Sequence, residues 1–319
     1  MFRPPDFFAG SWCYTERLMA LIETLRYSQP FNRLATGGAR ALLRGLGLRS
    51  AWCRCHLHRV GRIEAPLPNG RTLLLQGAPD DAIPNQIYWD GWDGFEPEAS
   101  SVFFALAATA RVTLDVGAYV GYYALLAAHA NPRGRVVAFE PLPAIYERFR
   151  RNVNLNRLDN IDGVMSAVGR DGGTATFYHV DRPLPSSSSL SYAFMQHAPG
   201  LISSRVPVVT VDRYAAEHRL DSVDLVKIDT ESTEPDILAG MAETLRRHHP
   251  HILCEVLAEH DTGPRLQVLL QPHGYRYYLL TGEGPVPRER ITGHSEWRNY
   301  LFTTLGPEAI PAMAGALRR

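Results

Sequence analysis

The stretch Val112-Thr113-Leu114-Asp115-Val116-Gly117-Ala118-Tyr119-Val120-Gly121 constrains the fold of this chain more than any other. A short apolar run ends in a carboxylate, and two glycines then mark a tight turn into a segment that reads as a helix. From residue 112 onward short apolar strands alternate with helical segments, the rhythm of an α/β domain built on a mostly parallel sheet with helices on both faces. The predicted strands are 112–116, 135–139, 161–168, 224–228 and 252–256, and the predicted helices are 121–129, 143–156, 235–247 and 263–271. Segments 275–280 and 300–304 are expected to close the sheet as an antiparallel pair.

An N-terminal extension, 1–94, precedes this domain, 95–319. Leu18, Leu21, Ile22 and Leu25 fall at helical spacing, and Gly37-Gly38 punctuates the pattern before Ala41, Leu42 and Leu43, which predicts one or two helices over 11–48. Residues 57–76 alternate around the turn Pro68-Asn69-Gly70 and predict a β-hairpin. Between the third and fourth parallel strands an insertion, 171–219, carries two further strands, 174–180 and 206–211, with loop between them. Its run Ser186-Ser187-Ser188-Ser189 cannot bury much surface and reads either as a mobile lid or as a solvated connection.

The chemistry gathers where strands end. The turn at Gly117 brings backbone close to a ligand, as in dinucleotide-binding folds, whose glycines stand at first, third and sixth positions. Counted from Gly117, the later two are Tyr119 and Tyr122. A bulky Tyr119 disfavours a pyrophosphate, and Asp115 suits a cationic ligand portion, so the loop favours S-adenosylmethionine over NAD. Glu140, 25 residues after Asp115, ends the second strand at the interval where an acid reaches the ribose hydroxyls of an adenosine; alternatively it caps the helix beginning near Pro143.

Strand alternation puts Lys227 and Asp229 on one side of the fourth strand, with Glu231 just beyond and Glu255 ending the next. In an open α/β sheet these carboxyl ends form the ligand rim. Asp229, Glu231 and Glu255 are candidate bases, with Lys227 orienting one of them; a structural ion pair between Lys227 and Asp229 is the plainer alternative. Upstream, Tyr88-Trp89-Asp90-Gly91-Trp92-Asp93-Gly94-Phe95-Glu96 concentrates aromatics and acids, so Trp92 and Glu96 either meet a sugar-like acceptor or belong to a hydrophobic plug.

The segments DVGAYVGYYALLAA, VVAFEPLPAIYERFRRNVNLN, VPVVTVDRY and VDLVKIDTESTEPDILAGM together resemble the successive motifs of the FkbM family of S-adenosylmethionine-dependent methyltransferases, over about residues 95–257. The resemblance implies a class I methyltransferase (Rossmann-like) fold. It implies cofactor binding by Asp115, Gly117, Ala118, Tyr119, Gly121 and Glu140, with Asp229 near the reactive end, and O-methylation of a hydroxyl on a saccharide or secondary metabolite. Tyr119 stands where the family usually has Asn, and Ser232 where it usually has Gly. A methyltransferase-fold binding module without catalysis and an NAD(P)-dependent oxidoreductase are the competing readings.

Composition narrows the partners. Lys+Arg and Asp+Glu both number 33, which leaves no bulk field for nucleic acid or an anionic membrane. No run of about 18 uncharged apolar residues occurs, and Arg3-Pro4-Pro5-Asp6 begins no signal peptide. The cysteines, Cys13, Cys53, Cys55 and Cys254, are too scattered for a disulfide framework. A cytoplasmic enzyme with a small-molecule or saccharide acceptor and no membrane insertion is expected. Cys53-Arg54-Cys55-His56-Leu57-His58 offers metal-ligand types, but alternation along a strand would separate the cysteines from the histidines, so no metal is expected. His248, His249 and His251 suit a helix end instead.

Overall fold

The computed structural model describes residues 28–48, 51–79, 81–182, 185, 188–260, 262–306 and 308–309. Leu18, Leu21, Ile22, Leu25, Cys13, Ser186 and Ser187 lie outside the described residues. The chain divides into two compact units, one made of 1–65 and 75–94, the other of 66–74 and 95–319.

The first unit holds α1 (Gln29–Gly45), α2 (Ala51–His56), the base of a hairpin formed by β1 (Gly61–Pro66) and β2 (Thr72–Gly77), α3 (Ala82–Asp90) and a 3-10 turn (Gly91–Gly94). Pro30 in the first turn and Arg44 in the last suit the two ends of α1. Its polar side faces inward: Asn32 Nδ2 donates to His58 O at 2.8 Å, Asn32 Oδ1 accepts from the Val60 N–H at 2.8 Å, and Thr36 Oγ1 donates back to Asn32 O at 2.6 Å. Phe31, Leu34 and Leu42 are exposed. The segment carrying Cys53 and His56 is helical, so the strand alternation invoked for it does not apply, and Arg54 and His56 in its last turn favour that helix end. Among the described residues no group of three or more His, Cys, Asp or Glu could hold a metal ion.

The second unit continues with α4 (Pro97–Ala107), β3 (Val112–Val116), α5 (Tyr122–Ala130), β4 (Arg135–Phe139), α6 (Pro143–Asn156) and β5 (Ile161–Val164). The inserted elements follow: β6 (Ala167–Val168), β7 (Gly173–Val180), β8 (Ser188–Ser189), α7 (Tyr192–Met195), β9 (Leu201–Val209) and α8 (Val211–Glu217). The unit closes with β10 (Leu225–Ile228), α9 (Glu234–Ala239), α10 (Ala242–His248), β11 (His251–Glu255), α11 (Gly263–Leu270), β12 (Arg276–Thr281), β13 (Gly284–Arg288) and β14 (Asn299–Thr303).

An eight-stranded sheet runs β13-β12-β14-β11-β10-β3-β4-β5. β11, β10, β3, β4 and β5 pair in parallel, whereas β14 joins β11 and β12 antiparallel. Every residue of β3 and β10 is buried, as central strands covered on both faces require. Val112, Leu114 and Val116 point to the layer containing Ile237, Leu238, Leu245, Leu266 and Leu270, so alternation sends Thr113 and Asp115 to the other side.

Four expectations are corrected. Residues 161–168 are not one strand: Ser166 folds back through its N–H onto Val164 O at 2.9 Å, and β6 pairs with β9 in a separate sheet ordered β6-β9-β7-β8. The strand expected at 206–211 stops at Val209 because Thr210 Oγ1 accepts the Arg213 N–H at 3.1 Å and starts α8. The single helix expected over 235–247 breaks at Gly240, whose missing Cβ admits Gly169 O. The serine run is not wholly loop, since Ser188 and Ser189 pair with His179 and Tyr178 of β7. Segments 275–280 and 300–304 do pair antiparallel as β12 and β14, one residue out of register with the prediction at each end, and β13 is an additional edge strand.

The restarted helix α10 borrows its cap. Asp212 accepts the N–H groups of Glu243 and Thr244, both at 2.8 Å, and the Thr244 hydroxyl at 2.6 Å. Asp212→Ala leaves these donors without a partner and is expected to cost about 2 kcal/mol, at the upper end for a helix cap. Urea denaturation at neutral pH should show a lower midpoint with an unchanged slope; an unshifted midpoint would discount the cap.

Candidate active site at the carboxyl ends of the strands

The turn after β3 is built on left-handed backbone. Gly117 has φ 83°, Tyr119 φ 50° and Gly121 φ 89°. The N–H groups of Gly117 and Ala118 both donate to Phe139 O, at 3.2 and 2.9 Å, which ties the turn to the end of β4. A Cβ on Gly117 would overlap the Asp229 carbonyl oxygen, and one on Gly121 would overlap the Phe149 ring. These glycines therefore permit close packing as well as positive φ. Tyr119 adopts the same region with a full side chain, which costs about 1 kcal/mol and which Asn, usual here in the FkbM pattern, tolerates better. Its ring packs on the cluster containing Leu142, Ile145, Phe177 and Val206.

Glu140, 5% exposed, holds the turn from the next strand. Its Oε2 accepts the Tyr119 N–H at 3.1 Å and its Oε1 accepts the Leu142 N–H at 2.8 Å, so it does support the start of α6 while facing the glycine turn. Burial pushes this carboxyl up to about 8 against the pull of those two donors. Asp115 is directed inward: Oδ2 accepts the Ala124 N–H of α5 at 2.8 Å, and burial raises the carboxyl to about 7. It acts on the first turn of α5, where a carboxylate complements the helix dipole.

Lys227 is fully buried. Its Nζ donates to Asp229 Oδ2 at 3.0 Å and to Asn299 Oδ1 at 3.3 Å, and lies 5.0 Å from the centre of the Tyr123 ring. Burial opposes the charge, but Asp229, Glu96 and Glu255 outweigh it and raise the ammonium above its ordinary value. Glu96 sits at φ 41° ahead of α4 and accepts the Tyr123 hydroxyl at 2.6 Å. Trp92 belongs to the first unit, half-buried in the 3-10 turn.

Beyond β10, Glu231 at φ 55° and Ser232 at φ 80° take the conformation for which glycine is the usual residue. Two side chains hold them there. Glu234 Oε1 accepts from the Ser232 N–H at 3.0 Å and the Thr230 N–H at 3.3 Å, and Ser189 Oγ donates to Glu231 O at 2.7 Å. Ser232 thus sits in a braced turn. Burial, then Asp229, pushes Glu231 up to about 8, and burial, then Asp229 and Glu231, pushes Glu255 up to about 10.

Glu96, Lys227, Asp229, Glu231 and Glu255 therefore share one electrostatic neighbourhood, while Gly117, Ala118, Tyr119, Gly121 and Glu140 form the adjoining turn. The sequence reading did not anticipate Tyr123, Asn299 or Ser189 and gave Glu234 only a helix-end role. Asn299 carried no signal, because its partner is 72 residues away.

The chain has recognisable relatives among known proteins. The family model for the methyltransferase FkbM domain matches residues 115–277, just over half of the chain. The chain is similar to AMB antimetabolite synthetase AmbE of Pseudomonas aeruginosa, 31% identical over an alignment of 256 residues that covers 65% of this chain and 12% of that protein. It therefore spans only a small part of that relative. It is also similar to 31-O-demethyl-FK506 methyltransferase FkbM of Streptomyces tacrolimicus, 28% identical over 241 residues, 66% of this chain and 87% of that one. Among solved structures, a methyltransferase FkbM from Methylobacillus flagellatus aligns with a TM-score of 0.40 at 16% identity, covering 61% of this chain and 43% of the other. With its family pattern running from Asp115 through β10 and β11 to β12, the chain belongs to the FkbM methyltransferase family.

Proposed function

We propose that this chain is an S-adenosylmethionine-dependent methyltransferase that methylates a hydroxyl of a small-molecule or saccharide acceptor. The observation that carries the reading is the meeting of the Gly117–Gly121 turn with Glu140, whose oxygens each accept one backbone N–H. Raised to about 8, Glu140 keeps its proton near neutrality, so beyond those two N–H groups it can donate to one ribose hydroxyl and accept from the other. Ala118, Tyr119 and Gly121 supply backbone next to it, and Gly117 sets the turn on the Asp229 carbonyl. Asp115 also supports the site through the first turn of α5.

The bound cofactor supplies an electrophilic methyl group on a sulfonium, so the protein's part is to hold an acceptor oxygen in line and to receive its proton. The acceptor's hydroxyl proton would need a protein group within hydrogen-bond reach to receive it. Glu231 and Glu255, pushed up to about 8 and about 10, hold their own protons at neutral pH. Asp229, paired with Lys227 at 3.0 Å, is the proposed acceptor of the proton, with Lys227 fixing its orientation.

Calorimetric titration with S-adenosylmethionine, S-adenosylhomocysteine and NAD tests the cofactor, and preferential binding of NAD would overturn the reading. Asp229→Asn is expected to lower turnover by about 100-fold or more, the range for a general base, while S-adenosylhomocysteine affinity changes by less than about threefold. Labelled-methyl transfer to a fractionated cell extract supplies the activity readout. Undiminished transfer by the variant would remove Asp229 from the mechanism.

A further inference from the structure

The rim around Lys227 holds more acid than the fold neutralises. Asp229, Glu96 and Glu255 all act on its ammonium, and Glu231 acts on Glu255. Lys227 spends its hydrogen bonds on Asp229 and Asn299. Arg298 reaches only to 4.0 Å from Glu255 Oε1 and is itself 57% exposed.

Glu255 is the odd member. It is 8% exposed, and its Oε2 has no hydrogen-bond partner among the described residues. Leaving a buried acceptor unsatisfied costs roughly 1–3 kcal/mol, so an oxygen kept this way at a ligand rim calls for a donor that the ligand brings. A metal ion is a poor match, because no group of three or more suitable side chains converges on one point among the described residues. An organic cation spreads its charge and its donors over several ångströms and suits dispersed carboxyls.

Sheet order says which ligand brings it. The proposed adenosine site lies at β3 and β4, whereas β11 stands two places beyond β3 in the order β11-β10-β3. At about 4.8 Å per strand, Glu255 lies on the order of 10 Å past the glycine turn, on the side away from Glu140. That is the acceptor's end of the rim.

We propose that Glu255, with Glu231 and Asp229 beside it, receives a protonated amine of the methyl acceptor, so that the acceptor is an amine-bearing alcohol such as an amino sugar or a cyclic amino alcohol. The inference rests on the methyltransferase reading above. An ammonium group gives Oε2 its missing donor and favours the ionised form of the carboxyls beside it. A neutral hydroxyl gives only the donor. Glu255 keeps its proton in the free protein because burial and its acidic neighbours disfavour the charged form; the incoming cation takes over that role, and the proton leaves to solvent.

The test uses the full chain with saturating S-adenosylhomocysteine and two ring-sized probes, trans-2-aminocyclohexanol and trans-cyclohexane-1,2-diol, observed by ligand-detected NMR at pH 7. The amine should bind at least tenfold more tightly than the diol. Glu255→Gln, and separately Glu231→Gln, should cut that preference to less than threefold with S-adenosylhomocysteine affinity unchanged. Equal binding of the probes, binding of neither, or a preference that survives both substitutions overturns the proposal. So does a loss of S-adenosylhomocysteine affinity in Glu255→Gln that matches the loss for the amine, since the carboxyl would then serve the cofactor. Both titrations are repeated without S-adenosylhomocysteine. Failure of that compound to bind counts against the cofactor reading, while the amine preference is judged on its own.

Discussion

Gly117→Ala is expected to lower the melting temperature by roughly 6–12 °C and to abolish measurable S-adenosylhomocysteine binding. Gly117 has φ 83°, where an L side chain costs about 1–2 kcal/mol. Its new Cβ would also overlap the Asp229 carbonyl oxygen, a rigid backbone neighbour held by the Asp229 N–H bond to Val116 O at 3.1 Å. Forcing a methyl into such a contact typically costs a further 1–3 kcal/mol. A sum of roughly 3 kcal/mol converts to that temperature range for a unit of this size. The binding loss follows separately, because moving the turn breaks the register of the Gly117 and Ala118 N–H groups on Phe139 O and of Tyr119 N on Glu140. Gly121→Ala is a parallel test: its φ of 89° and the overlap of a Cβ with the fully buried Phe149 ring predict a loss in the same direction. Differential scanning calorimetry and titration calorimetry read the two effects. A melting temperature within 2 °C of the parent, with binding intact, would show that the turn does not need glycine there.

The parts of this fold legible in the sequence are those where one local rule decides. β3, β4, β10 and β11 lie in the covered middle of the sheet and therefore read as short, mostly apolar runs. Where a run continued past a backbone break the reading failed. Met165-Ser166 interrupts an otherwise strand-like stretch because Ser166 spends its hydroxyl on Ala167 O and Pro207 O, both at 2.9 Å, partners that appear only after the insertion folds back. Gly240 falls inside a helical pattern and matters only because Gly169 O approaches it. β13 was invisible for the opposite reason: Pro285 and Pro287 argue against a strand, yet β13 is an edge, where a missing donor is tolerated.

The candidate site divides along the same line. Asp115, Gly117 and Glu140 could be placed by spacing along the chain, and Lys227 and Asp229 by alternation along one strand. What each touches could not. Glu140 meets Tyr119 N because β4 lies beside β3, and the Lys227 bond to Asn299 needs β14 to arrive beside β11. The positive φ of Tyr119, Glu231 and Ser232 had no residue-type signal, since none of the three favours it. In each case a neighbouring side chain or strand end compensates: Glu140 for Tyr119, and Ser189 and Glu234 for the turn after β10.

Lys227→Met is expected to destabilise the protein by about 3–5 kcal/mol at pH 8.5 and by clearly less at pH 5.5. Removing one partner of a buried ion pair leaves the other uncompensated, which sets the first figure. The pH dependence comes from the carboxyls. Asp115, Glu140, Glu231 and Glu255 are raised from 3.8 or 4.5 to about 7, 8, 8 and 10. From about pH 4.5 up to those folded-state values the native protein keeps protons that the unfolded chain has released, so stability falls as pH rises through that window. Lys227, raised from 10.5, is charged in both states throughout it and adds no slope there; its own contribution is fully present below 10.5 and is lost only above its folded value. Without the ammonium, Asp115, Glu231 and Glu255 lose the nearby positive charge that favours their ionised forms and cling to protons more strongly, which steepens the fall. At pH 5.5 those protons cost little to take up, and much of the deficit disappears. Urea denaturation of parent and variant across pH 5.5–8.5 measures both slopes. A deficit of equal size at the two ends would mean that Lys227 stabilises by packing its alkyl stem in the core and not by neutralising the acids around it.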